Sequence, residues 1–268
     1  MTVVTLGPEG TYSHRAARSL DDEVVFRESV HDIVNAVADG TYDRGVVPIE
    51  NSIEGSVTES LDTLAEQEVA VVQEIVTPIR HALLAQGEEF TTIASHPQAL
   101  AQCRGYLGEH YPDASVEAVA STARGVEYAR ENPDVAGIGH PDNAGEELQV
   151  LGADVQDRTS NATRFFVIAP VEERSTSGGK STLVVYPNTN HPGLLLSMLE
   201  PFADRGINLT RIESRPSGEQ LGDYVFHFDF TAGLYEERAH EALEEIEEIA
   251  DAGWVRKLGS YDTRHVVE

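Results

Sequence analysis

Cysteine, lysine and long apolar runs are nearly or wholly absent from this 268-residue sequence, and each shortage excludes a class of protein. The single cysteine, Cys103, excludes an internal disulfide and a cysteine-based metal cluster. No apolar run approaches the roughly 18 residues that cross a bilayer, and the first residues lack the basic and apolar regions of a signal peptide. We therefore expect a cytoplasmic protein with no membrane partner.

Positive charge is also scarce. Only 19 basic residues, of which Lys180 and Lys257 are the lysines, stand against 46 acidic residues, and the net charge is −27. We expect no nucleic-acid partner, because a surface with this much negative charge repels nucleic-acid phosphates. The acidic residues are spread along the whole chain, which is typical of halophilic proteins, in which dense salt screens the repulsion between carboxylates. An ordinary acidic protein is the alternative.

Up to about residue 170 the sequence alternates short β-branched runs with helical patterns. The strand candidates are TVVTL, VVFRE, RGVVPI, TTIAS, ASVEAVA and VAGIG, and helical patterns such as HDIVNAVADG and PQALAQCRGYLGEHY lie between them. This alternation predicts an α/β fold with a mainly parallel sheet.

The second half has a different order of elements. A polar, glycine-bearing stretch, APVEERSTSGGKS, is typical of a linker. After it come a strand, a helix that opens at HPG, two strands, an acidic helix and a last strand. The βαββαβ order predicts a ferredoxin-like domain. We expect domains at residues 1–170 and 181–264, joined by a linker at 171–180.

Small polar side chains follow several of the predicted strands. Open α/β sheets bind ligands beyond the carboxyl ends of their strands, where loops and helix N-termini supply hydrogen-bond donors. The polar residues at these positions include Thr11, Asn51, Ser52, Ser56, Gln98, Ser121 and Thr122. Together they would suit a small anionic ligand, although helix capping alone is the alternative for each of them.

The segment TSNATRFFVI, residues 159–168, turns from polar loop to apolar strand at Thr163-Arg164-Phe165. If this strand enters the same cleft, Thr163 could donate a hydrogen bond to a departing oxygen, Arg164 could bind a carboxylate, and Phe165 could exclude water. Spacing alone favours another arrangement, in which Thr163 and Phe165 alternate along a strand and Arg164 pairs with an acid.

Five loop motifs resemble, in order and spacing, those of bacterial and archaeal prephenate dehydratases: GPEGTYS, VVPIENSIEGSVTESLD, SHPQALAQC, STARGVEYA and NATRFFVI. The second half, with HPGLLLSML and ESRP, resembles their C-terminal regulatory ACT domain, and the whole resemblance covers roughly residues 3–262. It implies a two-lobed catalytic domain, similar to a type-II solute-binding protein, with the active site between the lobes. It also implies that no cofactor or metal is needed, because aromatisation drives the loss of CO2 and hydroxide from prephenate.

The resemblance implies roles for individual residues. Thr163 would donate to the leaving hydroxyl, and Arg164 and Phe165 would hold and shape the pocket. Neutral hydrogen bonds to the substrate would come from Asn51, Ser52, Ser56, Gln98, Ser121, Thr122 and Asn161, with Thr11 and Glu50 beside them. Glu50 would repel a dianion, so it either faces away, capping a helix, or is kept protonated by burial. For His96, a structural donor and a catalytic group stay open.

The ACT resemblance implies a homodimer or homotetramer that binds L-phenylalanine as a feedback effector between paired ACT domains. The effector site would comprise Pro192, Gly193, Leu194, Leu195, Asn208, Glu213, Ser214, Arg215 and Pro216. Gly193 would allow the backbone to approach the ligand, and the following helix N-terminus would take its carboxylate. Leu194 stands where many relatives have alanine and could narrow the pocket.

Two other functions stay open. An arogenate dehydratase would catalyse the same elimination on a substrate with an amino group in place of the ketone, and the loop motifs barely separate the two. A non-catalytic amino-acid sensor is the second, although Thr163-Arg164-Phe165 argues against it and no helix-turn-helix is evident. The lack of a chorismate-mutase-like helical stretch before residue 3 predicts a monofunctional enzyme.

Overall fold

The computed structural model describes residues 1–158, 160–250 and 253–266. The strands are β1 (Thr2–Leu6), β2 (Glu23–Arg27), β3 (Arg44–Asn51), β4 (Gly55–Ser56), β5 (Val69–Pro78), β6 (Ala82–Ala85), β7 (Thr92–Ser95), β8 (Ser115–Ala118), β9 (Val135–Gly139), β10 (Gln149–Gly152), β11 (Ala162–Pro170), β12 (Lys180–Tyr186), β13 (Leu209–Pro216), β14 (Tyr224–Phe230), β15 (Trp254–Tyr261) and β16 (Thr263–His265). The helices are α1 (Tyr12–Arg18), α2 (Val30–Ala38), α3 (Thr58–Glu66), α4 (Pro97–Gln102), α5 (Arg104–His110), α6 (Thr122–Glu131), α7 (Leu194–Asp204) and α8 (Glu237–Ala250). Among the described residues, none of these helices has the length and apolar character that a membrane span requires.

Three sheets organise the chain. The first has the order β16-β5-β11-β3-β1-β2, with β4 beside β3; the second has the order β10-β6-β9-β7-β8; the third has the order β13-β14-β12-β15. The chain leaves the first sheet after β5 and returns to it at β11, so two crossover segments join the two lobes. This arrangement confirms the two-lobed catalytic architecture.

The first two sheets are mixed, whereas the sequence predicts a mainly parallel sheet. Strand β1 runs parallel to β2 and β3, but β11 runs antiparallel to both β3 and β5. The cause is the double crossover, because the returning strand β11 inserts between strands that the outgoing chain has already placed. As a central strand, β11 buries Phe165, Phe166, Val167 and Ile168.

Apolar spacing explains the helices that cover these sheets. In α2, residues Val30, Ile33, Val34 and Val37 recur at helical spacing and are buried. One predicted helix differs from the structure. The single helix expected over residues 97–111 is divided into α4 and α5 at Cys103. Gly55 and Ser56 form β4, so that α3 begins only at Thr58.

The third sheet, with α7 and α8, has the predicted βαββαβ order. One face of it packs Leu183, Val185, Phe226, Phe228 and Phe230 in a core with the two helices. The opposite face contacts the first lobe. Strand β16 leaves this domain and pairs with β5 of the first sheet, Thr263 opposite Glu74, so the end of the described chain ties the two halves together.

Candidate active site

Strand β11 presents its residues alternately to two surfaces. Thr163 lies opposite Asn51 of β3, and Arg164 lies opposite Glu50. Because successive side chains point to opposite faces of a sheet, Thr163 and Asn51 share one face while Arg164 and Glu50 share the other. The first face forms a wall of the cleft between the lobes.

The cleft has a volume of about 530 Å³ and is lined by both lobes. It brings together most of the residues predicted to bind substrate: Thr11, Asn51, Ser56, Gln98, Ser121, Thr122, Asn161, Thr163 and Phe165. Apolar side chains, among them Leu6, Val57 and Ile79, complete the lining. The cleft therefore offers neutral polar groups within a partly apolar wall.

The hydroxyl of Thr163 is held by the side-chain amide of Asn51. Asn51 Nδ2 donates to Thr163 Oγ1 at 3.0 Å and to Asn161 Oδ1 at 3.0 Å. A threonine hydroxyl that accepts from an amide keeps its own proton for another acceptor. Thr163 can thus act as a hydrogen-bond donor towards a ligand in the cleft.

Several polar residues of the cleft also cap helices. Thr11 Oγ1 accepts from the His14 backbone N–H at 3.2 Å at the start of α1, and Ser121 Oγ accepts from the Arg124 backbone N–H at 3.0 Å at the start of α6. His96 lines the cleft and accepts from the Gln98 backbone N–H through Nδ1 at 3.3 Å. Its structural role is therefore that of an acceptor, where a donor was expected.

Two residues predicted to bind substrate lie outside the cleft lining. Ser52 Oγ donates to the Ser160 carbonyl and accepts from the Ala162 backbone N–H, so it closes the β3 loop onto β11. Glu50 faces away from the cleft, towards Arg164 at 3.7 Å and Arg211 at 3.8 Å. Facing away was one of the two alternatives for Glu50, but it pairs with arginines and caps no helix.

Arg164 also points away from the cleft, contrary to its expected role as a carboxylate ligand. Its guanidinium donates to Glu74 of β5 and, at 2.6 Å, to Asp229 of β14. Lys180 and Thr263 complete the coordination of Glu74, at 2.7 Å each. Burial alone would lower the pKa of Arg164, but the neighbouring Asp229 and Glu74 carboxylates outweigh it and raise that pKa. Arg164 is therefore a permanently charged clamp between the first lobe and the third sheet.

This geometry agrees with comparisons to known proteins. The sequence model of the prephenate dehydratase family matches residues 3–173, and that of the ACT domain matches residues 188–251. The chain belongs to the prephenate dehydratase family. A prephenate dehydratase from Lactococcus lactis subsp. lactis is 36% identical over 97% of this chain and 97% of its own length. A bifunctional chorismate mutase/prephenate dehydratase from Aquifex aeolicus is 37% identical over 97% of this chain and 73% of its own length.

Solved structures and a plant relative extend the comparison. The crystal structure of a prephenate dehydratase from Arthrobacter aurescens in complex with L-Phe has a TM-score of 0.89 and 35% identity, over 98% of this chain and 90% of that one. An arogenate dehydratase from Arabidopsis thaliana is 35% identical over 97% of this chain and 67% of its own length. Relatives named prephenate dehydratase and a relative named arogenate dehydratase are therefore about equally similar to this chain in sequence.

Sequence reasoning gave no role to five polar residues that line this prephenate dehydratase cleft: Tyr12, Ser13, Glu54, His81 and Gln102. A signal existed for Gln102, because it stands four residues after Gln98 and so shares one face of α4. His81 lies in the first crossover segment, and no local pattern marks it. Burial raises the pKa of Glu54, although His96 opposes the effect.

The residues predicted for the effector site of the ACT domain divide between two surfaces. Gly193 adopts a left-handed conformation with φ 89° directly before α7, and Pro192, Leu195, Asn208, Ser214 and Pro216 are exposed. Leu194 is buried in the core of the domain.

Glu213 and Arg215 project to the opposite face of β13 and contact the catalytic lobe. Glu213 accepts from Ser56 Oγ at 2.7 Å, and Arg215 donates twice to Asp62 of α3, at 2.9 Å each. Because strand residues alternate, these two side chains do not face the surface that carries Ser214. Both side chains are thus engaged with the catalytic lobe, and their contact with an effector stays a prediction.

Proposed function

We propose that this chain is a prephenate dehydratase, which converts prephenate to phenylpyruvate, CO2 and hydroxide. The observation that carries the proposal is the Thr163 hydroxyl, which accepts from Asn51 and keeps its proton free in a cleft whose polar groups are mainly neutral. An elimination driven by aromatisation needs such a donor at the departing oxygen.

In the proposed reaction two bonds break. The bond between the ring carbon and its carboxylate breaks, CO2 leaves, and the electron pair enters the ring. The ring C–O bond breaks at the opposite carbon, and the pair leaves with the hydroxide, to which Thr163 donates. Neutral side chains such as Ser121 and Gln98 hold the substrate carboxylates, and Phe165 limits the solvation of the ring carboxylate so that it departs.

A side-by-side kinetic assay tests this function. Purified protein is given prephenate or arogenate, and phenylpyruvate and phenylalanine are measured. We expect prephenate to have the higher kcat/KM. A preference for arogenate would make the chain an arogenate dehydratase, and no turnover of either substrate would favour a non-catalytic amino-acid sensor.

We also propose feedback inhibition by L-phenylalanine through the ACT domain. The relative from Arthrobacter aurescens was crystallised with L-Phe, and here Gly193 and exposed Ser214 lie on the surface expected for the effector. Strand β13 supports a route to the active site, because Ser56 both lines the cleft and donates to Glu213. Effector binding that shifts β13 would therefore move a wall of the cleft.

The oligomeric state, the cellular location and the halophilic origin of the protein are further proposals. We propose a cytoplasmic homodimer or homotetramer from a halophilic organism, with a catalytic domain at 1–170 and an ACT domain at 181–264. Exposed apolar residues on the ACT domain, Leu195, Leu196, Ile212, Leu221 and Tyr224, support assembly through this domain. The net charge of −27 supports the halophilic origin. Sedimentation at molar KCl measures the assembly, and a monomer would contradict it.

A further inference from the structure

The side-chain amides of Asn51, Asn161 and Gln102 are joined by hydrogen bonds through the cleft, and the orientation of the first amide is fixed. Ile53 and Glu54 donate their backbone N–H groups to Asn51 Oδ1 at 3.0 and 3.3 Å. A backbone N–H can only donate, so this atom of Asn51 must be the oxygen. Asn51 Nδ2 must then face Thr163 and Asn161, as described above.

The orientation of Asn51 fixes which atom donates and which accepts in each of the next hydrogen bonds. Because Asn161 presents Oδ1 to Asn51, its Nδ2 is the atom that donates to Gln102 Oε1 at 2.8 Å. Gln102 Oε1 also lies 3.0 Å from His81 Nε2. An oxygen cannot donate, so His81 Nε2 must carry a proton. The backbone around residue 53 thus determines the tautomer of a histidine in another segment.

We infer that His81 is a positioning residue for the elimination: as the Nε2–H tautomer it holds Gln102, and through Gln102 the amide of Asn161, so that Asn161 stays in place against Asn51 beside Thr163. The inference rests on the proposed function for its kinetic consequence. The hydrogen-bond direction itself rests on geometry alone.

The surroundings of His81 suit this role. The residue is 2% exposed, its backbone N–H donates to Gln156 Oε1 at 2.8 Å, and its carbonyl accepts from the Val155 backbone N–H at 2.9 Å. Tyr12 and His140 are the titratable groups beside it. Burial lowers the pKa of His81 despite the opposing hydrogen bond to Gln102, so the ring is neutral near pH 7. His81 Nδ1 and Gln102 Nε2 are buried without a protein hydrogen-bond partner among the described residues.

The tautomer is measurable in the wild-type protein without any assay. Nitrogen chemical shifts of labelled histidine distinguish the two neutral tautomers, and the signal missing in His81→Gln assigns the residue. We expect Nε2–H. An Nδ1–H tautomer would overturn the inference, whatever substrate the enzyme takes.

Two substitutions separate positioning from simple packing. Gln places an amide donor near the position of the His Nε2–H, whereas Leu fills the space without a donor. We expect His81→Leu to lower kcat about tenfold, which is the effect of one lost hydrogen bond, with KM changed less than about twofold. We expect His81→Gln to restore kcat to within about threefold of wild type. Equal kcat in all three folded proteins would contradict the inference.

A double substitution tests whether His81 acts through Gln102. In a Gln102→Met background the hydrogen bond is already lost, so adding His81→Leu should lower kcat by less than about twofold more. A full additional tenfold loss would overturn the inference. If wild-type protein turns over neither substrate, the proposed function fails. The tautomer measurement still decides the direction of the hydrogen bonds between His81 and the side-chain amides.

Discussion

Thr163, Arg164 and Phe165 are consecutive residues of β11, yet their side chains serve two different surfaces. Thr163 and Phe165 line the cleft, whereas Arg164 joins Glu74 to Asp229 of the ACT domain. Thr163, the proposed donor of the reaction, is therefore adjacent in sequence to the arginine that joins the two domains. Through Arg164 the ACT domain contacts β11 directly, and through Ser56 it contacts β4, a second wall of the cleft.

Arg164→Met should affect stability more than substrate binding. Removing one partner of a buried ion pair costs about 3 to 5 kcal/mol, because Asp229 is 0% exposed and would keep an uncompensated charge. We expect a clearly lower melting temperature and a KM changed less than about threefold. Arg215→Met, which breaks a more exposed pair with Asp62, is the matched control and should cost about 1 kcal/mol or less. An unchanged melting temperature with a tenfold higher KM would contradict this and indicate that Arg164 binds substrate.

The predictability of these residues follows from the range of their contacts. Asn51 follows from its position at the end of a predicted strand, whereas Asn161 and the role of Thr163 follow from the resemblance of NATRFFVI to the family motif. Alternation along a strand also predicted that Arg164 would pair with an acid, and this arrangement is the one observed. Its partners Glu74 and Asp229 are 90 and 65 residues away, so no local pattern could show that the pair joins two domains.

At the scale of elements, β13 is an edge strand with two functional faces. Ser214 and Ile212 are exposed on the face expected for the effector, whereas Arg211 and Glu213 contact Ser56 on the other. The order of elements in this domain was predictable, because each is long and has a clear apolar pattern. The two-residue β4 was not, because a pair of residues has no periodicity, and it is β4 that carries Ser56.

Glu213→Gln should weaken feedback without abolishing phenylalanine binding. The substitution removes the charge that accepts from Ser56, so the coupling of about 1 to 3 kcal/mol between effector and cleft should fall towards zero. Calorimetry should give a phenylalanine Kd within about threefold of wild type, while inhibition of the rate is largely lost. Glu219→Gln, at an exposed turn, is the control and should be inhibited normally. Loss of binding as well would make Glu213 an effector ligand.

Strand β14 adds a pH dependence to the contact between the domains. Burial, reinforced by Arg211, lowers the pKa of His227 from 6.5 to about 4, against the opposing charges of Asp229 and Asp62. Between these pH values the unfolded chain binds a proton that the folded chain does not, so the free energy of unfolding decreases as pH falls, by about 3 kcal/mol in all. His227→Gln should remove this contribution. Denaturant unfolding at pH 7, 5.5 and 4 measures it, and parallel curves for both proteins would contradict it.

At the scale of the whole molecule, the charge of −27 is the main feature. Composition alone predicts it, but not where the few cations lie. Arg164, Arg211 and Lys180 gather at the contact between the first lobe and the ACT domain, where the sequence places no basic cluster. The repulsion therefore acts mainly over the outer surface, and the contact between domains is held by buried opposite charges.

Melting temperature should rise with KCl. Salt reduces the screening length to about 3 Å at 1 M, which suppresses repulsion between surface carboxylates but affects the buried Arg164 pairs much less. Scanning calorimetry between about 0.1 and 2 M KCl measures the trend. A flat profile over that range would contradict the halophilic proposal.

The central claim is that Thr163 donates to the leaving hydroxyl as the ring C–O bond breaks. The most direct measurement is the steady-state kinetics of Thr163→Ala and Thr163→Ser with prephenate, at a KCl concentration where all proteins are folded. We predict that the alanine variant loses about 100-fold or more in kcat with little change in KM, because the interaction forms fully only in the transition state, and that the serine variant retains much more activity. An alanine variant with near-normal kcat would contradict the account.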